Sequence, residues 1–172
     1  GFGAGVSGNE AFYWTSATGA VGIGDLPGGN FMSHARAVSA DGSVIVGQSS
    51  NSTSLEAFRW TSATGMVGLG HLSGDIASGA EGVSADGSVI VGFSATRAIR
   101  WTSGDGMTAL PLHAAFDNVA YGISADGSTI VGKATVAGFD LISLWTTPDT
   151  PTTVQQGYAY AASADGALVV GR

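Results

Sequence analysis

Short apolar runs alternate with polar, glycine-rich turns along the whole chain, and the runs recur in a fixed order. In one unit a run of small residues, Ala35–Ser39, precedes a β-branched run, Ser43–Val46. An alternating run, Glu56–Trp60, and a weaker run, Met66–Leu69, follow them. Runs of this length that are β-branched or alternate with period two predict β-strands. We therefore predict four antiparallel strands in each unit, with a polar loop over residues 47–54.

The other units repeat this pattern with one marked change. Their second strands are predicted at Val89–Val91, Thr129–Val131 and Leu168–Val170. Their third strands are predicted at Glu10–Trp14, Ala98–Trp101 and Leu141–Trp145. After the last of these, the usual turn is replaced by a segment that contains Pro148 and Pro151, and proline cannot donate to a sheet ladder. We therefore expect a shortened fourth strand in that unit, at an edge near Thr152–Gln155.

A Ser-Ala-Asp-Gly turn between the first and second strands marks each repeat. Its aspartates, spaced 45, 40 and 39 residues apart, are Asp41, Asp86, Asp126 and Asp165. A tryptophan ends each third strand, and these residues, at intervals of 46, 41 and 44, are Trp14, Trp60, Trp101 and Trp145. A period near 40 residues with several short strands in each unit is typical of a β-propeller.

The spacing across the junction of the two ends matches the spacing inside the chain. Counted from the last repeat round to the first, the aspartate interval is 48 and the tryptophan interval is 41. The caps of a linear solenoid have no reason to complement each other in this way. We therefore predict an all-β, four-bladed propeller whose ring closes because the N-terminal and C-terminal hairpins share one blade. The expected blades are approximately 31–72, 73–111, 112–156, and 157–172 joined with 1–30.

Composition narrows the choice of partners. The net charge is −7, so a nucleic-acid partner is not expected. The apolar runs are too short for membrane insertion, and an acidic surface with a single lysine does not favour anionic membranes. Cysteine is absent, so the sequence offers neither a disulfide framework nor a thiolate zinc site. No pattern in the sequence predicts a cofactor.

The repeat resembles the bacterial extracellular HAF repeat, which is found in secreted proteins and autotransporter passengers. The resemblance is carried by Phe-x-Trp, Leu-Gly-x-Leu and Ser-Ala-Asp-Gly-Ser-x-Ile-Val-Gly, and it covers essentially the whole chain. The His-Ala-Phe of the family falls on Glu10-Ala11-Phe12, Glu56-Ala57-Phe58 and Arg97-Ala98-Ile99, so its histidine is missing from every copy. The resemblance implies an exported, surface-associated protein, and it supplies no catalytic residue.

One position in the first strand departs from the repeat. The residue after the matched alanine is large and polar in every copy, and the four residues are Arg36, Glu81, Tyr121 and Tyr160. The innermost strand of a blade begins near the mouth of the propeller channel, so we expect these side chains there, with His34 nearby. They could bind a sugar or a peptide end. The alternative is a structural role, in which Arg36 and Glu81 form an ion pair and the tyrosines only fill space between the blades.

Other candidate chemistry has a simpler structural interpretation. One carboxylate in each turn is too few for calcium, so the repeated aspartates are expected to bond to their own turns. The repeated tryptophans are expected to pack one blade on the next, although they could instead stack on sugars. The histidines, His34, His71 and His113, show no metal-ligand or catalytic spacing. We predict no metal site and no catalytic residue.

The leading hypothesis is a non-enzymatic binding or adhesion module outside the cell or on its surface, with a glycan or protein ligand at the channel mouth. A second hypothesis is a structural spacer or self-assembling unit without a small ligand, for which an eight-bladed ring of two chains is one form. A third is a polysaccharide or ester hydrolase, which requires two suitably spaced carboxylates or a Ser–His contact. Either a monomer or a homodimer is compatible with the sequence.

Overall fold

A computed structural model describes residues 2–5, 8–111, 117–146 and 150–172, and every regular element in these ranges is a β-strand. The first group of strands contains β1 (Phe2–Gly5), β2 (Gly8–Thr15) and β3 (Gly19–Gly22). The second contains β4 (Gly28–Val38), β5 (Ile45–Asn51), β6 (Leu55–Thr61) and β7 (Gly65–Gly68). The third contains β8 (Ser78–Val83), β9 (Val89–Ser94), β10 (Arg97–Thr102) and β11 (Gly106–Ala109). The fourth contains β12 (Asp117–Ile123), β13 (Thr129–Val136), β14 (Phe139–Thr146) and β15 (Thr150–Gln156), and the hairpin of β16 (Ala159–Ala162) and β17 (Val169–Gly171) follows.

Three groups form complete four-stranded antiparallel units: β4–β7, β8–β11 and β12–β15. The N-terminal group has three strands, with β1 and β3 both paired to β2, and one parallel bridge between Asn9 and Met32 joins β2 to β4. The hairpin β16–β17 is a separate two-stranded sheet that packs on β12 and β13. Within the described ranges neither strand of this hairpin is hydrogen-bonded to β1, β2 or β3. No helix there is long and apolar enough to cross a membrane.

The second strand of each complete unit is longer than its β-branched run. In the first complete unit, β5 continues to Asn51, so the prediction of a polar loop over 47–54 is wrong for most of its length. The polar side chains of this extension find partners inside the protein. The backbone N–H of Leu26 donates to Ser49 Oγ (3.0 Å), and Ser50 Oγ donates to the carbonyl of Asn30. Because these hydroxyls are bonded, the strand can be buried although its sequence is polar.

The fourth strand of the last complete unit is not shortened. β15 runs over Thr150–Gln156, whereas β7 and β11 have four residues each. Pro151 lies opposite Trp145 in the pairing with β14, and within the described part of the chain β15 has no strand on its other side. Proline is tolerated in an edge strand because no neighbour requires its missing N–H. Pro148 lies outside the described residues.

The Ser-Ala-Asp-Gly turns have the predicted local structure. In the first, the hydroxyl of Ser39 (2.7 Å) and the backbone N–H of Ser43 (2.9 Å) both donate to Asp41 Oδ1. Gly42 has a φ of 74°, in the left-handed region that favours glycine. These bonds hold the pKa of Asp41 down to about 2. The repeated aspartates are therefore turn-forming residues.

Tryptophans pack successive units together where a preceding unit is present. Trp101 packs on a cluster that includes Val44 and Val46, and Trp145 is buried in the next cluster along the chain. The Trp145 indole N–H also donates to the carbonyl of Pro111 (3.0 Å). Trp14 is exposed, so the expected packing role is confirmed in the complete units and does not hold for the first tryptophan.

Candidate functional site

A β-bulge lies at the same place in the first strand of every unit. The register of the first strand against the second shifts between Ala35 and Ala37 in β4, and the same shift recurs in β8, β12 and β16. The residues skipped by these shifts are Arg36, Glu81, Tyr121 and Tyr160. A bulge leaves its extra residue outside the ladder and redirects its side chain. The four predicted site residues are therefore the four bulge residues, which explains why the repeat does not prescribe their identity.

The first strands come very close together beside these bulges. A Cβ added to Gly122 would lie 2.6 Å from the carbonyl oxygen of Tyr160, and one added to Gly82 would lie 3.4 Å from Gly122 Cα. A Cβ at Gly122 would collide with the neighbouring backbone, so only glycine fits this approach. The small residues thus bring the bulge side chains of successive units next to one another.

Arg36 and Glu81 form one half of this row. Arg36 Nε lies 3.9 Å from Glu81 Oε2, a long ion pair with the arginine side chain almost half exposed. Burial raises the pKa of Glu81, and the nearby positive charge of Arg36 opposes that rise without cancelling it. At this distance and exposure the pair contributes little stability. Glu81 is therefore a partly buried carboxyl that is only partly compensated within the protein.

The tyrosines form the other half. The rings of Tyr121 and Tyr160 are tilted, with centroids 5.7 Å apart, and Tyr158 stacks on Tyr160 at 6.2 Å. Burial raises the pKa of the Tyr121 hydroxyl. Tyr160 is exposed, so part of this aromatic surface is open to solvent. Stacked, half-exposed tyrosines offer both an apolar face and hydroxyl groups to a ligand.

A charged network supports the tyrosines from the second strand. Lys133 Nζ lies 2.8 Å from Asp117 Oδ2 and 3.6 Å from Asp140 Oδ1. Burial alone would lower the pKa of Lys133, but the two carboxylates outweigh it and raise the pKa. The Tyr158 hydroxyl donates to Asp140, which raises the pKa of Tyr158. Hydrogen bonds from the hydroxyls of Thr135 and Tyr158 lower the pKa of Asp140.

Reasoning from the sequence missed Lys133 and Arg172. Both follow the glycine that closes the β-branched run of the second strand, a position occupied in the other units by Gln48 and Phe93. Lys133 Nζ lies 5.9 Å and Arg172 Cζ 5.0 Å from the centre of the Tyr158 ring. The variability of this position within an otherwise regular repeat was the signal that could have identified them, as it did for the bulge residues.

The two histidines of the described ranges lie on different parts of the fold. His34 lies on β4 opposite Gln48, two residues before Arg36. His71 is exposed beyond β7 and lies near the carbonyl of Leu72. His113 lies outside the described residues. In the ranges that the structure covers, no three His, Asp or Glu side chains are grouped so that they could hold a metal ion.

The first residue of the segments Glu10-Ala11-Phe12, Glu56-Ala57-Phe58 and Arg97-Ala98-Ile99 has a structural role. Glu10 Oε1 accepts the backbone N–H of Gly24 (2.8 Å), and Glu56 Oε1 accepts that of Gly70 (2.7 Å). In the third copy Arg97 instead pairs with Asp75 at 2.9 Å. Glu10 and Glu56 tie the third strand to the connection that leads to the next unit, whereas Arg97 ties it to the connection from the preceding unit. These side chains are therefore engaged in structural contacts.

A groove of about 560 Å³ lies beside Arg36, between the first and second groups of strands. One wall is the end of β2, from Phe12 to Thr15. The other is formed by residues 35–38 of β4 and by 41–43 of the turn that follows. Trp60 also lines the groove, and its ring lies 5.6 Å from that of Tyr13. The groove is apolar and open, and no sequence pattern predicted it.

Comparison with solved structures supports a β-propeller-like fold. No protein-family model and no curated protein sequence matches the chain. The structure is similar to TolB from Acinetobacter baumannii (TM-score 0.62, 16% identity), with 90% of this chain matched to 40% of that one. It is also similar to the tricorn protease (TM-score 0.58, 13% identity), with 88% of this chain matched to 16% of that one. Both are β-propeller proteins, and the chain spans well under half the length of either.

Proposed function

We propose that this chain is a non-enzymatic propeller module, exported to the cell surface or the extracellular space, which binds a glycan or a peptide. Its binding surface is the row of bulge side chains, extended by residues of the second strands. The export follows from the resemblance to the HAF repeat. The observation that carries the binding proposal is the bulge that recurs in all four first strands and presents four different side chains.

The scaffold of this proposal is a four-bladed ring. By the order of the repeat, β16, β17, β2 and β3 can supply the first, second, third and fourth strands of one blade. We propose that they share the fourth blade and so close the ring. The bulge residues would then surround one axis, with Arg36 and Tyr160 as neighbours.

The chemistry of the row suits a hydroxylated ligand that has an apolar face. Tyr160 and Tyr121 supply rings for stacking, as sugars and aromatic peptide side chains require. Arg36 is half exposed and supplies hydrogen-bond donors, while Glu81 supplies acceptors with little compensation from the protein. A partly buried carboxyl whose ion pair is long gains from a ligand that donates a hydrogen bond to it.

Glycan and peptide arrays probed with the labelled protein test the proposal. We expect a ligand class whose binding falls about tenfold with Tyr121→Ala, the loss expected when one stacking contact is removed. Arg36→Ala should weaken the same ligands. Arg59→Ala, on the third strand of the same unit as Arg36, is the matched control and should leave binding unchanged. Binding that is indifferent to both mouth variants, or absent from every array, would refute the proposal.

A further inference from the structure

The end of β2 has an unpaired edge beside the groove. β1 pairs with β2 only over Gly8–Ala11, and the following stretch, Phe12–Thr15, has no strand on that side in the described part of the chain. In the second group the corresponding stretch of β6, Phe58–Trp60, is paired there with residues 45–47 of β5. In a complete unit, the place beside this stretch of the third strand is filled by the start of the second strand, with the first strand next to it. The groove therefore lies where these two strands would be expected in the N-terminal group.

The C-terminal hairpin carries an uncovered apolar face. Leu168 is 65% exposed and Val170 is 55% exposed. The residues at the same repeat positions in the second group, Val44 and Val46, are 3% and 0% exposed. The side chains are equally apolar, so the difference comes from the neighbour that covers them. The hairpin therefore has the apolar pattern of a buried element, but these side chains are exposed.

A backbone hydrogen bond that joins successive turns also stops at the two ends. Ala40 N–H donates to the carbonyl of Ala85 (3.0 Å), Ala85 to Ala125 (3.0 Å), and Ala125 to Ala164 (3.1 Å). Among the described residues, the N–H of Ala164 has no acceptor and the carbonyl of Ala40 has no donor. One further bond of the same kind, from Ala164 to Ala40, would satisfy both groups.

The packing of the turn glycines is interrupted at the same end of the chain. A Cβ added to Gly87 would lie 2.6 Å from Val44 Cγ2, since each turn rests on the second strand of the preceding unit. Gly42 occupies the equivalent place in the first turn and has nothing within 4 Å of such an atom. Leu168 is the residue that corresponds to Val44 in the uncovered hairpin. Its side chain therefore matches the space beside Gly42.

We propose that the chain's own C-terminal hairpin, β16–β17, docks into this groove and pairs with the free edge of β2. The register follows from the second group, where Ile45 lies opposite Trp60. The equivalent pair is Val169 opposite Trp14. The docked β17 then ends just where β1 begins its own pairing with β2, so the two strands share one edge without overlap. Docking covers Leu168 and Val170 with the wall of the groove.

This docking rests on the four-bladed ring of the proposed function and completes its binding surface. Arg36 contacts Glu81, the charge of Glu81 acts on Tyr121, and Tyr121 contacts Tyr160. The fourth step of the ring, from Tyr160 to Arg36, forms only when the hairpin docks. A ligand that touches both residues would therefore stabilise the docked hairpin, and docking would strengthen ligand binding by the same factor.

A pair of cysteines at the predicted register tests the docking without any ligand. The chain has no cysteine of its own, so the double variant Trp14→Cys/Val169→Cys has a single possible pair within one molecule. We expect mild oxidation to give a monomer with an internal disulfide in most molecules. The control Val67→Cys/Val169→Cys, with one cysteine moved to the exposed outer strand β7, should stay reduced. A disulfide between two copies would show that a second molecule fills the groove, and it would overturn docking within one chain.

Hydrogen exchange of the unmodified protein gives a second test, in case the cysteine variants do not fold. Because β3 already pairs with residues 12–15, docking acts on those amides of 12–15 that point to the free edge of β2. They should exchange at least about tenfold more slowly than in Leu168→Asp, which places a charge on the docked face. The amides of 8–11, already paired to β1, serve as the internal reference. Equal exchange of 12–15 in the two proteins would refute the docking. Failure of the arrays with the hairpin docked would reject only the proposed ligand binding.

Discussion

The unit β8–β11 and the two ends of the chain carry the same repeat in different surroundings. Both faces of the central unit are covered by neighbours, whereas the N-terminal group and the hairpin β16–β17 each have one face uncovered. Trp145, which lies on β14 of the following unit and packs on the central unit, is 1% exposed. Trp14 is 65% exposed. The comparison shows that a repeat specifies which faces are apolar, while burial depends on the presence of the next repeat.

The largest difference is expected at the tryptophans. Trp145→Ala removes a fully buried ring and its bond to Pro111, and we expect it to lower the free energy of unfolding by about 3–5 kcal/mol. Trp14→Ala should lower the free energy of unfolding much less. Trp14 lies at the end of the N-terminal group, so its substitution can remove at most the stabilisation that contact between the two ends provides. Urea denaturation of both variants measures the difference. Equal losses would mean that Trp14 is as firmly buried in solution as Trp145.

The next largest difference in stability is expected between substitutions of the turn glycines Gly87 and Gly42. Gly87→Ala and Gly42→Ala impose the same backbone strain, since φ is 72° and 74°. Gly87→Ala also pushes a methyl group against the buried side chain of Val44, so it should cost about 1–3 kcal/mol more than Gly42→Ala as long as the hairpin is not docked. Thermal unfolding of the two variants provides the test. If Gly42→Ala becomes as costly, and Leu168→Ala relieves that cost, the hairpin is docked beside Gly42.

Acid sensitivity should separate a central turn from the last one. Asp86 accepts bonds from the hydroxyls of Ser84 and Ser88 and from the N–H of Ser88, which hold its pKa at about 2. Because this value lies below the unfolded value of 3.8, the stabilisation is complete above pH 4 and is lost as the pH falls towards 2. In the last turn Ala167 replaces the second serine, so Asp165 loses one donor.

We therefore expect Asp86→Asn to flatten the dependence of the melting temperature on pH between 4 and 2 more than Asp165→Asn does. Melting curves at intervals across this range measure both slopes. A steeper contribution from Asp165 would contradict the role assigned to the second serine. Above pH 5 the two pH profiles should run parallel.

The smallest effect is expected at Glu81. Burial raises its folded-state pKa above the usual value of 4.5, so ionisation of this carboxyl costs stability as the pH rises through that range. Glu81→Gln should raise the melting temperature slightly at pH 7, because the pair with Arg36 is long, and should have no such effect at pH 4. A fall in melting temperature at pH 7 would show that the Arg36 pair outweighs the burial.

Local features of the fold were predictable because short-range chemistry determines them. The turn around Asp41 needs only its own serines and a glycine that accepts positive φ, and all of these lie within five residues. The alternation in β6 likewise predicted a strand that ends near Trp60. An edge strand near Thr152–Gln155 was predictable, but the length of β15 was not, because it depends on a register with β14 that the sequence does not specify.

Part of the candidate site was also predictable. Irregularity within a regular repeat identified Arg36, Glu81, Tyr121 and Tyr160, since a position free of fold constraints can vary. Pattern alone could not reveal that each of them is a bulge residue. Nor could it place Lys133 beside Asp117 and Tyr158, because those contacts join residues on different strands.

The amino-acid sequence by itself determined the repeat, its turns, its strand order and the apolar faces of each unit, since these depend on neighbours along the chain. Only the tertiary structure decided which faces are covered and which side chains meet. Burial and contact depend on the arrangement of whole units in space, and no single repeat encodes that arrangement. The exposed Leu168 and the buried Val44 occupy the same position of the repeat, and they differ only in whether a neighbouring unit covers them.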